Sequence, residues 1–324
     1  MKGHATSSAL LSTAVCLSVL ANGKAVAQTP PSKDQCSLAV VSRLGTPEGS
    51  VCDTTTVQRL AQSGHAFEQN QLGIASMLVV GPDLNEKEAL TWFEQAAQHG
   101  YPPAEVNLAV MYINGWGTRV NYAAALHWLH AAADQHFARA YYNLGILYLY
   151  GKGVRQDHNE AFLWFQKGAA ADDSSAQTNL GYMYDQGVGR PKDLETAAEW
   201  YRKAAEAGNP LGQNNLADLY LHGEGVKQDD SAAFFWFQKA AQQGHTGARI
   251  KLGYMYAEGR GTATDPKTAY GWIKAAQLAG DLRGNEMLHR LEQTLTAAQI
   301  AEARERATKL QHADADLSAK NFTQ

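Results

Sequence analysis

The sequence predicts an all-α protein built of stacked helix-turn-helix repeats with a 36-residue period. A near-copy is the first sign: LGYMYDQGVG begins at Leu180, and LGYMYAEGRG begins 72 residues later at Leu252. Tryptophan also recurs every 36 residues, at Trp92, Trp128, Trp164, Trp200, Trp236 and Trp272. Only 9 of the 324 residues are proline, a composition that favours helices. A fixed period without insertions indicates units that bury their apolar faces against their neighbours.

Residues 1–27 are predicted to be a secretory signal peptide. An apolar run from Ala9 to Ala21 follows Lys2, and the sequence Ala25-Val26-Ala27 then supplies a small-x-small cleavage site. The run is too short to cross a bilayer as a helix, and no second apolar run follows it. We therefore expect cleavage after Ala27 and an exported protein, periplasmic or secreted, that does not span a membrane.

Residues 28–65 are predicted to form a degenerate capping repeat held by a disulfide between Cys36 and Cys52. Counting 36 residues back from Leu72 gives Cys36, and Gly64 falls where the later units have a helix-ending glycine. Cysteines in even number in an exported chain tend to pair, and this ring would contribute about 3 kcal/mol. Two free buried thiols are the alternative.

Residues 66–283 are predicted to form six repeats of two helices. In the first helix of a unit, a leucine and a tyrosine four residues later, such as Leu180 and Tyr184, share the core face. A turn with two glycines follows, and an Asp or Asn then caps the second helix. The tryptophan of that helix and its flanking alanines are expected to pack the pair together. His136 and Asp172 replace the glycine that ends the second helix in two units, so we expect looser ends there.

The last part of the chain is predicted to close the stack. Residues 284–312 are expected to form capping helices, the second of which begins with a Thr296-x-x-Gln299 cap. Residues 313–324 are expected to be disordered.

The repeat resembles the Sel-1-like repeat family, which is related to the tetratricopeptide repeats. The motif appears as AYYNLGILYLYGKGVRQDHNEAFLWFQKGAA from Ala140 and as AQTNLGYMYDQGVGRPKDLETAAEWYRKAAEAG from Ala176. The first repeat departs from it, since Ser76 replaces the tyrosine and VVGPDL replaces the double-glycine turn. The resemblance implies a right-handed α/α solenoid, or superhelix, that acts as a protein-interaction scaffold. Exported members look like envelope regulators, adaptors or surface proteins that meet host factors.

In tetratricopeptide-like solenoids the first helix of each repeat carries, besides its core face, a second stripe of residues that lines a concave groove. The resemblance therefore places the partner-binding residues on this groove stripe. Four successive units carry an asparagine on it, and an amide both donates and accepts hydrogen bonds with an extended peptide. A structural role, bonding neighbouring helices, is the alternative. Trp116, in a turn, is either an anchor for the partner or a cover for the weak first repeat. The predicted partner-binding residues are Asn107, Trp116, Arg139, Asn143, Tyr150, Asn179, Tyr182, Asn215, His222, Lys251, Tyr254 and Arg283.

No catalytic motif, cofactor site or metal site is predicted. His127, His130 and His136 are spaced like metal ligands, but the repeat register gives Leu163 at the position of His127, which favours a half-buried packing residue. The net charge of −4 does not indicate nucleic-acid binding.

The predicted function is an exported scaffold that binds a protein or peptide segment and modulates a cell-envelope or signalling system. One alternative is a cell-wall or β-lactam hydrolase like cysteine-rich relatives of the family, although this chain lacks their repeated cysteine pairs and a serine-lysine site. Another is a secreted factor that binds a host protein.

Overall fold

A computed structural model describes residues 54–78 and 85–321, with side chains described as far as Gln311. These residues form fifteen α-helices and one 3-10 helix and contain no strand. They divide into two compact units, with the boundary in the sequence between Gln156 and Asp157, and each unit is described by itself. The predicted signal peptide, the Cys36–Cys52 disulfide and the VVGPDL segment lie outside the described residues.

The first unit contains three helix pairs in which consecutive helices pack against each other. Its helices are α1 (Thr54–Gln62), α2 (Ala66–Leu78), α3 (Glu86–Gln98), α4 (Pro102–Asn114), α5 (Tyr122–Asp134) and α6 (Ala138–Tyr150).

The second unit continues the alternation with the same helix lengths. Its repeat helices are α7 (His158–Ala170), α8 (Ser174–Gln186), α9 (Leu194–Glu206), α10 (Pro210–His222), α11 (Asp230–Gln242), α12 (Thr246–Glu258) and α13 (Pro266–Leu278). The 3-10 helix Leu282–Gly284, α14 (Asn285–Glu292) and α15 (Ala297–Asn321) follow. Helix α15 extends into residues 313–324, where the sequence predicts disorder. At its start Thr296 and Gln299 bond each other's backbone N–H groups, which is the predicted cap.

The predicted caps set both helix boundaries. The side-chain oxygen of each predicted Asp or Asn accepts from backbone N–H groups two or three residues later, at Asn85, Asn121, Asp157, Asp193, Asp229 and Asp265. Such a cap contributes about 1 kcal/mol. The first helix of each complete hairpin ends at a left-handed glycine, for example Gly223 at φ 69°.

The second glycine of each turn is required for a different reason. A Cβ on Gly225 would lie 2.2 Å from the carbonyl oxygen of Leu194, and one on Gly261 would lie 2.2 Å from that of Asp230. In both cases the contact is with the first residue of the second helix in the preceding repeat. At these two turns the main chain therefore lies close against the repeat before it.

His136 and Asp172, which replace the helix-ending glycine, keep its geometry. Both have φ of 59°, whereas Gly208 has φ of 89° at the same repeat position. A left-handed conformation costs an L-residue about 1–2 kcal/mol. The backbone at the ends of these two helices is therefore strained, and the turn keeps the geometry that it has in the other repeats.

The core residue of each second helix is the one after the tryptophan. Fully buried side chains stand there in all six repeats, namely Phe93, Leu129, Phe165, Tyr201, Phe237 and Ile273. Five of the six tryptophans are half-buried; Trp128 and Trp236 pack against core clusters, as expected, but the residue after the tryptophan is the more deeply buried one. Trp272 is the exception at 4 % exposure, because α15 covers it with Leu310 and with Arg306, whose guanidinium carbon lies 5.7 Å from the ring centre.

The first helices show a similar one-residue difference. The predicted leucines are buried in every repeat after the first, but the tyrosines four residues later are half-buried. The residue three positions after each leucine fills the core instead, as Met111, Leu147, Met183, Leu219 and Met255. Each residue turns a helix by about 100°, so one position decides which face a side chain occupies.

Buried polar side chains join four of the first helices to the second helix before them, from Gln69, Gln177, Gln213 and Arg249. Gln213 donates through Nε2 to the carbonyl oxygen of Ala205 at 3.1 Å and accepts through Oε1 from Gln243 at 2.8 Å. Gln177 makes the first of these bonds at 3.5 Å, to Ala169. Its buried Oε1 has no hydrogen-bond partner among the described residues, because alanine stands at position 207, the counterpart of Gln243.

Candidate functional site

An open groove of about 290 Å³ lies between α10 and α12 in the second unit. We call it the α10–α12 groove. Three of the predicted partner-binding residues, His222, Lys251 and Tyr254, line it. The other lining residues are Asp218, Leu221, Ile250, Met255, Glu258 and Arg260. The second stripes of two neighbouring first helices therefore meet at one surface.

An ion pair crosses the middle of the α10–α12 groove. Lys251 Nζ lies 2.5 Å from Asp218 Oδ2 and 3.3 Å from Asn214 Oδ1. The two charged side chains are 35 % and 30 % exposed, so the pair contributes at most about 1 kcal/mol to stability. Its main effect is to hold Lys251 in place and to neutralise its charge.

A second ion pair holds Arg260 at the end of the groove. Arg260 donates to Asp230 through Nη2 at 2.8 Å and Nε at 3.1 Å, and Nη2 also lies 3.4 Å from the carbonyl oxygen of Leu221. The hydrogen bonds from Arg260 lower the pKa of the Asp230 carboxyl. Arg260 is absent from the predicted site. The sequence feature that could have identified Arg260 is its position between two turn glycines, where the residue differs from repeat to repeat.

The rim of the groove is polar. His222 and Glu258 are both exposed there, and Tyr254 is half-buried. Arg283, the last predicted partner-binding residue, is exposed but bonds Asp281 through Nη2 at 2.5 Å and Nε at 2.9 Å.

Helix α12, which carries half of the groove, begins at a histidine cap. His245 Nδ1 accepts from the backbone N–H of Ala248 at 3.0 Å. Burial, with smaller contributions from nearby Lys251 and Arg283, lowers the pKa of His245 to about 4. The ring is therefore neutral at pH 7 and can accept this bond.

The predicted asparagine row is bonded within the fold. In the second unit Asn179 Nδ2 donates to the carbonyl oxygen of Ser175 at 2.9 Å, and Asn215 Oδ1 accepts from Asn214 at 3.1 Å. Tyr182 is half-buried and packs against the cluster around Tyr201.

In the first unit the asparagines make similar bonds. Asn107 Nδ2 donates to Asn70 Oδ1 at 2.9 Å, which joins α4 to α2, and Asn143 Nδ2 donates to the carbonyl oxygen of Arg139 at 2.9 Å. Arg139 is itself buried, with its guanidinium 5.3 Å from the ring centre of Tyr142. These contacts are of the kind that a structural role requires, and a ligand role for the row stays a prediction.

Two aromatic residues of the first unit complete the predicted set. Trp116 is half-buried and packs against the core cluster that contains Phe93 and Leu108. This placement agrees with the alternative in which Trp116 covers the first repeat. Tyr150 is 42 % exposed at the end of α6.

The histidines of α5 form no metal site. Within the side chains that the structure describes, no group of three or more His, Cys, Asp or Glu residues could hold a metal ion. His127 is exposed, with its ring edge-on to Trp128 at 5.0 Å between centroids, so the expected half-buried packing is wrong. None of the described helices is both long and apolar enough to cross a bilayer.

Two solved structures of bacterial repeat proteins are similar to this chain. One is a Sel1 repeat protein from Oxalobacter formigenes, at 28% identity and a TM-score of 0.59, which covers 68% of this chain and 95% of that chain. The other is a protective antigen present in uropathogenic Escherichia coli strains that displays an SLR fold, at 28% identity and a TM-score of 0.55. That match covers 83% of this chain but 64% of the antigen.

A third structure, the immunity protein Pa5087 from Pseudomonas aeruginosa, shares the fold at 18% identity and a TM-score of 0.51, covering 79% of this chain and 83% of that chain. No curated protein sequence matches the chain.

The family comparison agrees with the repeat register. The Sel1 repeat matches six times, over residues 69–101, 102–137, 138–173, 174–209, 210–245 and 247–281. The predicted all-α repeat fold with a 36-residue period is confirmed, and the chain belongs to the Sel1 repeat family.

Proposed function

We propose that the protein is an exported scaffold that binds an extended segment of a partner protein in the α10–α12 groove. Sel1 repeats generally mediate protein–protein interactions. The observation that carries the proposal is that His222, Lys251 and Tyr254, selected from the sequence because they lie on the groove stripe, line one open groove.

The chemistry of the groove suits a peptide backbone with mixed side chains. The Lys251–Asp218 pair offers a donor and an acceptor without a net charge, and Tyr254 offers a flat ring that loses little entropy on binding. Met255 and Ile250 form an apolar floor. Glu258 and His222 at the rim can distinguish partners by charge.

The proposed export rests on residues 1–27, and the proposed role is to modulate an envelope or signalling system. A secreted factor that binds a host protein is the second candidate, supported by the similarity to a protective antigen. Cell fractionation with sequencing of the mature N-terminus distinguishes them. A mature chain that starts at Gln28 and stays in the periplasm supports the first, and release into the medium supports the second. A chain that retains residues 1–27 in the cytoplasm contradicts export.

A photocrosslinking amino acid placed at position 254 tests the groove in living cells, with position 235 as the control. Phe235 is exposed on α11 and does not line the groove. We expect a discrete crosslinked species from position 254 that is absent from position 235. Equal crosslinking from both positions would contradict binding in the groove.

A matched variant separates the groove from the fold. Lys251→Asn with Tyr254→Ile introduces the residues of another repeat, Asn143 and Ile146, so helix packing should be kept. With the crosslinker moved to position 222, we expect this variant to lose the crosslinked species while its Tm stays within a few degrees of the wild type.

A further inference from the structure

A second cavity lies away from the α10–α12 groove, between α9 and the turn before α11. It has a volume of about 400 Å³, and we call it the Arg202–Lys227 cavity. Its lining is polar and includes two cations, and the six residues are Arg202, Tyr220, Val226, Lys227, Gln228 and Asp229.

Within the described part of the chain, neither cation is held by an ion pair. Arg202 makes one long contact, from Nη2 to the Tyr220 hydroxyl at 3.4 Å. Asp229 lines the same cavity, but its Oδ1 accepts the N–H groups of Ser231 and Ala232, both at 2.9 Å, as the cap of α11.

Packing of the repeat does not require these charges. Lys227 lies 25 positions after Arg202. At the equivalent two positions, the other repeats carry different pairs of residues: Glu94 with Arg119, His130 with Arg155, Gln166 with Pro191, and Gln238 with Ala263. The combination of an arginine with a lysine occurs in the unit with Arg202 alone. Two like charges that share a cavity repel each other unless an anion lies between them.

The wall that carries Lys227 is fixed before any ligand binds. Gln228 Nε2 donates to the carbonyl oxygen of Leu221 at 3.1 Å, and the backbone N–H of Asp229 donates to that of Tyr220 at 3.0 Å. The start of the turn is held by Gly225 against Leu194. A site that is already ordered loses less entropy on binding.

We propose that the Arg202–Lys227 cavity binds a phosphate-type oxyanion, either inorganic phosphate or the phosphate group of a small ester. The planar guanidinium of Arg202 can donate two parallel hydrogen bonds to such a group, and Lys227 supplies a mobile point charge. The Tyr220 hydroxyl, already in contact with Arg202, can donate a further bond.

Thermal unfolding of the full chain, titrated with sodium phosphate at pH 7.5, tests the proposal. Sodium chloride keeps the ionic strength constant, because exposed charges are screened by salt. Phosphate also stabilises proteins in general, but without saturation, whereas a bound ligand raises Tm in a saturable way. We expect a saturable rise for the wild type. Glycerol 3-phosphate, titrated in parallel, shows whether the site accepts an ester, and saturation by either compound supports the proposal.

The variants take their residues from the other repeats. Arg202→Gln copies Gln166, and Lys227→Ala copies Ala263, so the double variant should fold. We expect its apparent phosphate affinity to fall by at least about tenfold. Lys227→Ala alone keeps the test valid if the double variant does not fold, since Lys227 is exposed in a turn. Lys239→Ala, at another exposed lysine, is the control and should leave the affinity unchanged.

Three results would overturn the proposal. One is an unsaturable rise for the wild type with both phosphate compounds. Another is the same saturable rise in the wild type and in the cavity variants. The third is saturation by sodium acetate at lower concentrations than phosphate, which would make the site specific for carboxylates.

Discussion

Acid should weaken the start of α12, because its cap is a histidine that the fold keeps neutral. His245 Nδ1 accepts the N–H of Ala248 only in the uncharged ring. Burial is the main cause of the low pKa, and the cations of Lys251, Arg283 and Arg249 also lower it. The carboxylate of Asp281 acts in the opposite direction.

The size and sign of the effect follow from the two pKa values. The pKa of His245 is about 4 in the folded protein against 6.5 for a free histidine, so the unfolded chain binds the proton more tightly. The contribution of His245 is therefore fully present above pH 6.5 and is lost as the pH falls towards 4. The gap corresponds to about 3 kcal/mol of unfolding free energy.

His245→Asn is the matched variant, because Asn209 caps α10 at the same repeat position by accepting the N–H of Gly212 at 3.0 Å. Urea unfolding of both proteins between pH 7.5 and pH 4.5 gives the difference in stability. Carboxylates elsewhere titrate in both proteins and cancel. We expect the stability of the variant relative to the wild type to rise as the pH falls below about 6.5. A difference that stays constant within about 0.5 kcal/mol across this range would refute the reasoning.

Three further expectations concern stability, and urea unfolding at pH 7.5 measures each. Ala207→Gln should stabilise the protein by about 1 kcal/mol by donating to the orphaned Oε1 of Gln177, and the gain should vanish in a Gln177→Met background. Asp172→Gly should stabilise by about 0.5–1 kcal/mol by relieving its left-handed backbone, and a loss of stability would contradict strain there. Phe237→Ala should cost about 3–5 kcal/mol, but Trp236→Ala only about 1–2 kcal/mol; the reverse order would mean that the tryptophan is core after all.

The sequence was sufficient to predict the helix caps and turns, because these depend on residues that are close together in the chain and recur in each repeat. An aspartate such as Asp193 caps a helix through its own backbone neighbourhood, and a glycine such as Gly187 supplies a left-handed turn wherever it stands. Core assignment was harder. Trp200 and Tyr201 are adjacent and both aromatic, and the alanine-rich helix around them gives little contrast between faces.

The site depended on contacts between repeats. Lys251 and Asp218 are 33 residues apart and meet only because α10 and α12 are neighbours. The sequence placed Lys251 on the groove stripe, but did not reveal its bond to Asp218. Two other features could not be predicted for the same reason, because they involve residues far apart in the sequence. These are the missing partner of Gln177 and the two cations that share the Arg202–Lys227 cavity.

The contact of Gly225 with Leu194, and of Gly261 with Asp230, has an evolutionary consequence. Because backbone atoms set the spacing of adjacent hairpins at these points, the spacing does not depend on which side chains cover the surface. Mutation can therefore replace residues such as Lys251 or Arg202 without changing the frame that displays them. The displayed residues can thus diversify while the frame is inherited intact.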